Sequence, residues 1–166
     1  MAVINIVGLM GVGKSTLGKE LLKYLPHFER FDIDDYRRAM NTTTPTAEME
    51  AWRRLYADTG KCESFIFESS GMSQNTWLLL GGKAQVLTLF LRADEATRAE
   101  RLDERTRNGY APVRLHFVPR VAATDDYVLA KLRGRQRIEI DTSRLSADDV
   151  LTEALGFISR AAAGRR

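Results

Sequence analysis

The chain has 166 residues, which is enough for one domain with a three-layer core and too few for a second independent domain. Its composition, 44% hydrophobic and 28% charged, is typical of a soluble globular protein, and its apolar runs are far too short to cross a membrane. The net charge is +3, and arginine supplies 19 of the 25 basic residues, which suits phosphate recognition but would also follow from a GC-rich coding sequence.

The first predicted elements are a strand, a glycine-rich loop and the start of a helix. The apolar run at 3–7 precedes the loop, and residues 17–22 follow it with a helical pattern. The loop matches G-x-x-x-x-G-K-[ST], and its predicted nucleotide contacts are Gly8, Gly11, Val12, Gly13, Lys14, Ser15 and Thr16. Because the flanking strand and helix that this motif requires are both present, we predict a nucleoside triphosphate site rather than a chance glycine turn.

The chemistry of this loop follows from its backbone. Glycines let successive N–H groups point into one concavity, and the N-terminus of the next helix attracts phosphate. Lys14 would reach the β and γ phosphates and support catalysis, while the Ser15 hydroxyl would bind Mg²⁺, with Thr16 as a weaker second candidate. We therefore expect ATP and Mg²⁺ as cofactors.

Three acidic residues follow the second predicted strand, within the segment 28–38. Asp32, Asp34 and Asp35 would lie at the carboxyl end of a parallel strand, where open α/β sheets bind ligands. An alcohol is a poor nucleophile until a carboxylate takes its proton, whereas a phosphate acceptor needs no base. We predict a catalytic role for this cluster; the alternative is that the acids only cap a helix at 36–40.

This segment also carries a family resemblance. Residues 31–34, Phe-Asp-Ile-Asp, resemble the F-x-D-x-D element of shikimate-kinase-like enzymes, and residues 34–37, Asp-Asp-Tyr-Arg, are similar to the D-D-Y-R element of bacteriophage polynucleotide kinase. Both are P-loop kinases that share the nucleoside monophosphate kinase fold. The resemblance implies that Asp34 is the base for an acceptor hydroxyl and that Arg37 contacts a substrate phosphate. We expect Asp32 and Asp35 among the substrate contacts.

The segment 41–62 is predicted to be a polar turn followed by a helix that forms the acceptor-binding flap. The helix has Thr46 as its expected N-cap and one apolar stripe formed by Met49, Trp52, Leu55 and Tyr56. Core packing is the favoured role of Trp52 and Tyr56, and stacking on a base is the alternative. Arg53 and Arg54 would either meet substrate phosphates or face solvent.

The third predicted strand, at 63–71, is hydrophobic and ends in a carboxylate, Glu68. This pattern resembles a Walker B element, although glutamate replaces the commoner aspartate. Glu68 would hold Mg²⁺ through water or bind the substrate by a hydrogen bond. A short helix at 73–80 and a fourth buried strand at 84–91 follow.

The next predicted helix, at 93–107, carries arginines on one face. Arg98, Arg101 and Arg105 are spaced i, i+3 and i+7, and Arg107 enters the following loop, where we expect it to bind substrate. This arrangement is similar to the lid of P-loop kinases, which implies that Arg101 lies near the adenine or the phosphates and that Arg105 clamps the transferred phosphoryl group. The alternative is a solvated helix with internal charge pairs.

The remaining chain completes one α/β domain. A helix at 124–133, a fifth strand at 137–141 and a closing helix at 146–158 are predicted, with the loop 141–144 near the adenine. We therefore predict a three-layer α/β/α P-loop NTPase fold with a five-stranded parallel sheet, a single kinase domain at 1–160 with a helical lid at about 98–121, and a frayed basic tail at 161–166. The single cysteine, Cys62, and the lack of an export signal favour a cytoplasmic location.

These features predict a magnesium-dependent ATP kinase. The expected acceptor is a hydroxyl on a nucleic acid, such as DNA, or on a nucleotide; bacteriophage kinases that phosphorylate hydroxymethyluracil in DNA are a known group of suitable size and charge. The alternative is a nucleoside monophosphate kinase or a small-molecule alcohol kinase of the shikimate or gluconate type. A binding module without transfer activity is disfavoured, since Lys14, Ser15 and Asp34 are all present. We expect no membrane partner.

Overall fold

The computed structural model describes residues 2–40, 44–109 and 121–164, with backbone only at 121–123. Its strands are β1 (Ala2–Val7), β2 (Glu29–Asp32), β3 (Ser64–Ser69), β4 (Val86–Arg92) and β5 (Arg137–Asp141). Its helices are α1 (Lys14–Tyr24), α2 (Ile33–Ala39), α3 (Pro45–Thr59), α4 (Gln74–Gly81), α5 (Glu95–Arg107), α6 (Val121–Lys131) and α7 (Ala147–Ala163).

The five strands form one sheet in the order β2-β3-β1-β4-β5, and every adjacent pair is parallel. Parallel pairing requires crossover helices, which cover both faces of the sheet. The carboxyl ends of all five strands therefore meet at one edge. The predicted three-layer fold with a five-stranded parallel sheet is confirmed.

Two hydrophobic clusters fill the space between the sheet and its helices. Side chains alternate between the sheet faces along each strand, so Phe65 and Phe67 of β3 belong to one cluster and Ile66 belongs to the other. The Phe65 cluster includes residues of α3, α4 and α6, and the Ile66 cluster includes residues of α1 and α7. Burial on both faces explains why the three central strands, β3, β1 and β4, are mostly apolar, whereas β2 and β5 at the two sides of the sheet carry charged residues.

The third helix begins two residues earlier than its sequence pattern suggested. Thr44 rather than Thr46 is the N-cap, and its hydroxyl accepts a hydrogen bond of 3.2 Å from the Ala47 N–H. Pro45 takes the first helical position, where a missing N–H costs nothing. Met49 is 71% exposed, so the predicted apolar stripe is wrong at that residue.

The closing helix is longer than predicted. It continues to Ala163, and Ala161 is buried against the body of the domain. The expectation of a frayed tail from residue 161 is therefore wrong for residues 161–163. None of the helices in the described ranges has the length and apolarity needed to cross a lipid bilayer.

Candidate active site

The glycine-rich loop forms a tight cradle between β1 and α1. A Cβ atom at Gly8 would lie 2.3 Å from the carbonyl oxygen of Leu91, so only glycine fits against the neighbouring strand. Gly13, with φ of 93°, is in the left-handed region at the N-cap of α1. Lys14 folds back over the loop, and its Nζ donates a 2.9 Å hydrogen bond to the Leu9 carbonyl. The backbone of the loop therefore requires glycine at Gly8 and Gly13, as a phosphate-binding loop does, and its phosphate contacts remain a prediction.

Lys14 lies at the centre of the predicted site. Burial lowers the pKa of its ammonium group, and the carboxylates of Asp34, Asp32 and Glu68 oppose that effect, whereas Arg105 adds to it. These four charged groups come from four different elements, since Asp34 is in α2, Asp32 in β2, Glu68 in β3 and Arg105 in α5. The fold therefore brings five residues predicted from the sequence into one electrostatic environment.

Ser15 and Asp32 provide two oxygen donors beside the loop. The Ser15 hydroxyl donates to Asp32 Oδ2 at 3.5 Å, and Asp32 Oδ1 accepts a 2.9 Å hydrogen bond from the Asp34 N–H. Burial raises the pKa of Asp32 to about 6, an effect opposed by the Asp34 N–H and strengthened by the charges of Asp34 and Glu68. Arg30 Nη2 is a third donor, 3.5 Å from Asp32 Oδ2, and a cation bound beside this buried carboxylate would further favour its ionised form.

Ser15 and Asp32 suit Mg²⁺ bound together with a nucleotide better than they suit a metal whose ligands all come from the protein. No cluster of three or more His, Cys, Asp or Glu side chains suited to a metal occurs in residues 2–40, 44–109 and 121–164. Mg²⁺ in nucleotide sites needs only one or two protein oxygens, because phosphates and water supply the others. Ser15 and Asp32 would therefore suffice beside a bound triphosphate.

The second strand ends earlier than its pattern suggested, and α2 begins directly at Ile33. Asp32 is the N-cap, so one acid performs the capping role that was the alternative to catalysis. Asp34 and Asp35 lie in the first turn of α2, where the helix dipole favours negative charge. Asp35 pairs with Arg38 and lies 3.7 Å from Arg30 Nη1, so its predicted substrate contact remains a prediction.

Asp34 is connected to α3, the helix predicted to form the flap, through a chain of polar contacts. Arg37 Nη1 donates to Asp34 Oδ1 at 2.9 Å, and Arg37 Nε and Nη2 both donate to the Glu48 carboxylate. Glu48 also accepts a 2.9 Å hydrogen bond from Trp52 Nε1. Trp52 is buried and packs on Phe67, which agrees with its favoured core role and leaves no exposed ring for stacking on a base.

Glu68 is fully buried, and both of its oxygens are occupied. Arg30 donates from Nε to Oε1 at 2.5 Å and from Nη2 to Oε2 at 3.0 Å. Arg30 Nη2 also lies 3.5 Å from Asp32 Oδ2. Glu68 therefore pairs with Arg30, and its predicted role as a Mg²⁺ or substrate ligand remains a prediction.

Arg30 is not among the predicted site residues, although the sequence contains a signal for it. Alternation along β2 places Arg30 and Asp32 on the same face of the strand, two residues apart. An arginine on the inner side of a predicted strand needs a buried carboxylate partner, and Glu68 was the acid available at the next strand tip.

The arginines of α5 attach that helix to the glycine-rich loop. Arg98 is buried, and its Nε donates to the Met10 carbonyl at 2.8 Å. Arg101 donates to the Gly11 carbonyl at 3.2 Å and to the hydroxyl and carbonyl of Thr142 at 2.9 and 2.8 Å. Arg98 and Arg101 therefore both face the loop, whereas Arg105 is exposed and its place on this face remains a prediction.

The end of α5 is exposed, and the predicted lid is described only in part. Arg107 lies on the surface at the last turn of α5. The remainder of the predicted lid, residues 110–120, lies outside the described residues. The phosphoryl clamp assigned to Arg105 and the substrate contact assigned to Arg107 therefore remain predictions.

Comparison with known proteins shows which proteins share this fold. No protein-family model matches the chain, and no curated protein matches it. Among the solved structures that match, three illustrate the likeness, and each matches over nearly the whole of both chains. They are a gluconokinase from Sinorhizobium meliloti (17% identity, TM-score 0.66, 98% of this chain and 94% of that one), a shikimate kinase from Acinetobacter baumannii (15%, 0.64, 97% and 94%) and a deoxyadenosine kinase from M. mycoides solved with bound dATP (16%, 0.67, 95% and 99%). At these identities the likeness concerns architecture: the chain has the fold of these P-loop kinases.

Proposed function

We propose that this chain is a magnesium-dependent ATP kinase that transfers the γ-phosphoryl group to a hydroxyl of a small molecule or nucleoside. The observation that carries the proposal is the convergence of Lys14, Asp34 and the Ser15–Asp32 pair at one edge of the sheet. Phosphoryl transfer needs positioning and charge stabilisation more than covalent chemistry, and these groups supply both.

The proposed roles follow from these positions. The glycine-rich loop and Lys14 bind the β and γ phosphates, and Ser15 and Asp32 hold Mg²⁺. Mg²⁺, when bound, supplies positive charge against the phosphate oxygens. Asp34, held by Arg37, accepts the proton of the acceptor hydroxyl. Arg105 adds positive charge near Lys14, where the transferred group would pass.

A small acceptor is favoured over the nucleic acid expected from the sequence. The three structural neighbours are named for gluconate, shikimate and deoxyadenosine, and none is named for a polynucleotide. The arginines that would have bound a phosphate backbone are also paired, since Arg53 and Arg54 both contact Glu50. The similarity to bacteriophage DNA kinases is therefore not carried into the proposal, and the alternative of a small-molecule alcohol kinase replaces it.

The test is transfer of label from γ-labelled ATP with Mg²⁺ to a panel of gluconate, sorbitol, shikimate, deoxyadenosine, dAMP and duplex DNA. We expect labelled product from at least one small alcohol or nucleoside and little from DNA. Lys14→Ala, checked for folding by circular dichroism, should lose transfer by orders of magnitude. Normal turnover by folded Lys14→Ala, or preferred labelling of DNA, would overturn the proposal.

A further inference from the structure

The cluster formed by Asp34, Arg37 and Glu48 constrains the acceptor. We infer that the acceptor site proposed at Asp34 selects hydroxyl compounds without a phosphate or carboxylate group, and that Glu48 is the residue that sets this selectivity. The inference rests on the proposed kinase function and names the substrate class of that same site.

All three nitrogens of the Arg37 guanidinium are engaged by carboxylates. Nε lies 3.0 Å from Glu48 Oε2, Nη2 lies 2.5 Å from Glu48 Oε1, and Nη1 lies 2.9 Å from Asp34 Oδ1. This is the bidentate geometry in which arginine binds a carboxylate or phosphate ligand. Glu48 therefore occupies the position that an anionic acceptor would take on Arg37.

Glu48 is held in that position from its other side. Trp52 Nε1 donates to Glu48 Oε1 at 2.9 Å, and the indole is fixed by packing against Phe67 with ring centroids 6.3 Å apart. The hydrogen bond from Arg37 lowers the pKa of Glu48, so this carboxylate is ionised at neutral pH. An anionic acceptor would have to displace the charged Glu48 carboxylate, which accepts hydrogen bonds from both Arg37 and Trp52, from the Arg37 guanidinium.

The cluster also has an excess of negative charge. Two carboxylates and one guanidinium leave a net charge of −1 on side chains that are one third to one half exposed. Every other arginine on α2 and α3 has a carboxylate partner as well, namely Asp35 for Arg38 and Glu50 for both Arg53 and Arg54. In the described part of the flap, an incoming anion therefore meets repulsion without a free arginine to offset it.

The chemical class that fits is a neutral alcohol, such as a polyol or a nucleoside. Its hydroxyl would donate to Asp34, and its other hydroxyls could bond to Glu48. Arg37 would then act as a positioning residue that orients Asp34, and it would not serve as an anion receptor.

The experiment compares matched acceptors that differ in charge but keep the same acceptor hydroxyl: sorbitol with gluconate, shikimate methyl ester with shikimate, and deoxyadenosine with its 3′-monophosphate. The ratio of kcat/KM within each pair is measured at saturating ATP and Mg²⁺. We expect the wild-type protein to favour the neutral member by roughly tenfold or more in every pair that yields product. Glu48→Gln keeps the shape and the Trp52 hydrogen bond but frees the charge of Arg37, so it should shift the ratio towards the anionic member by about tenfold.

Two variants separate this effect from a structural one. Glu50→Gln, on the same helix, should leave the ratio unchanged, because the Glu50 carboxylate pairs with Arg53 and Arg54 rather than with Arg37. The double variant Arg37→Gln with Glu48→Gln should show no gain for anionic acceptors, since the freed charge is then absent.

The outcomes are distinct. Wild-type preference for the anionic members, or a ratio that Glu48→Gln does not move, would overturn the selectivity while leaving the kinase proposal intact. No labelled product from any member of the panel would instead contradict the proposed function.

Discussion

Arg30 and Glu68 form a two-contact ion pair between β2 and β3, with Nε to Oε1 at 2.5 Å and Nη2 to Oε2 at 3.0 Å. Glu68 is 0% exposed, so its charge has no access to water. Arg30 also lies near Asp32, which connects this pair to the proposed metal ligand. The pair therefore supports the edge of the sheet on which the candidate site is built.

Removing one member should leave an uncompensated buried charge. We expect Arg30→Met to lower the free energy of unfolding by about 3 kcal/mol, measured by urea denaturation at pH 7. Combining it with Glu68→Gln should restore part of that loss, because the charge left behind is then removed. The exposed pair Lys23–Glu20 provides the control, and Lys23→Met should have little effect. Equal stability of wild type and Arg30→Met would show that the pair is not needed.

Gly18 provides the space for this ion pair. A Cβ at Gly18 would lie 1.9 Å from Glu68 Oε1 and 3.1 Å from Arg30 Nε. Alanine is favoured over glycine in helices by up to about 1 kcal/mol, but here we expect Gly18→Ala to destabilise the protein by roughly 1–3 kcal/mol through overpacking. Gly156→Ala, in the middle of α7 and close only to the flexible tip of Arg160, should instead be neutral or stabilising. The melting temperatures of the two variants, each compared with the wild type, test these expectations. A higher melting temperature for Gly18→Ala would contradict the close packing of Gly18 against Glu68.

The buried Asp32 should make stability depend on pH. Its folded-state pKa is raised from 3.8 to about 6, so ionisation of Asp32 destabilises the folded protein as pH rises through that interval. Asp32→Asn removes this cost, and we expect it to stabilise the ligand-free protein by on the order of 2 kcal/mol at pH 8 and by little below pH 4. The comparison is made by urea unfolding across the pH range.

Asp141 serves as a control, because its pKa is shifted in the opposite direction to that of Asp32. Hydrogen bonds from Ser143 lower the pKa of Asp141, so Asp141→Asn should destabilise the protein at pH 8, and the difference should disappear as pH falls. If Asp32→Asn is less stable than the wild type at pH 8, the hydrogen bonds to the Asp32 carboxylate stabilise the folded protein by more than the burial of its charge destabilises it.

The role of Asp34 as base can be separated from nucleotide binding. Asp34→Asn should lower kcat for the acceptor by roughly 10² to 10⁴ and leave ATP affinity nearly unchanged, because it removes a proton acceptor and little volume. Asp35→Asn, one residue along the same helix, should reduce kcat by less than about tenfold. Rapid-quench rates together with ATP titration measure the two effects. An equal loss of ATP affinity and rate in Asp34→Asn would make Asp34 a structural or metal-binding residue.

The sequence alone determined the parts of this protein that depend on nearby residues. The glycine-rich loop, its strand and its helix follow from short-range pattern, since turn geometry and hydrophobic period are properties of a few consecutive residues. The strand and helix types and the acids after β2 were predictable for the same reason. Errors fell at boundaries, such as the N-cap at Thr44 instead of Thr46, because several polar residues there could perform the same local role.

The tertiary structure alone decided which partner each long charged side chain takes. Arg37 was predicted to meet a substrate phosphate, yet it pairs with Glu48, eleven residues away on another helix. Arg30 finds Glu68 across 38 residues, and Arg98 reaches the Met10 carbonyl across 88. Several acceptors, carboxylates and carbonyls alike, were available to each arginine in the sequence. Only the packing of the helices against the sheet brings one of them within hydrogen-bonding distance, and burial then makes the pairing necessary.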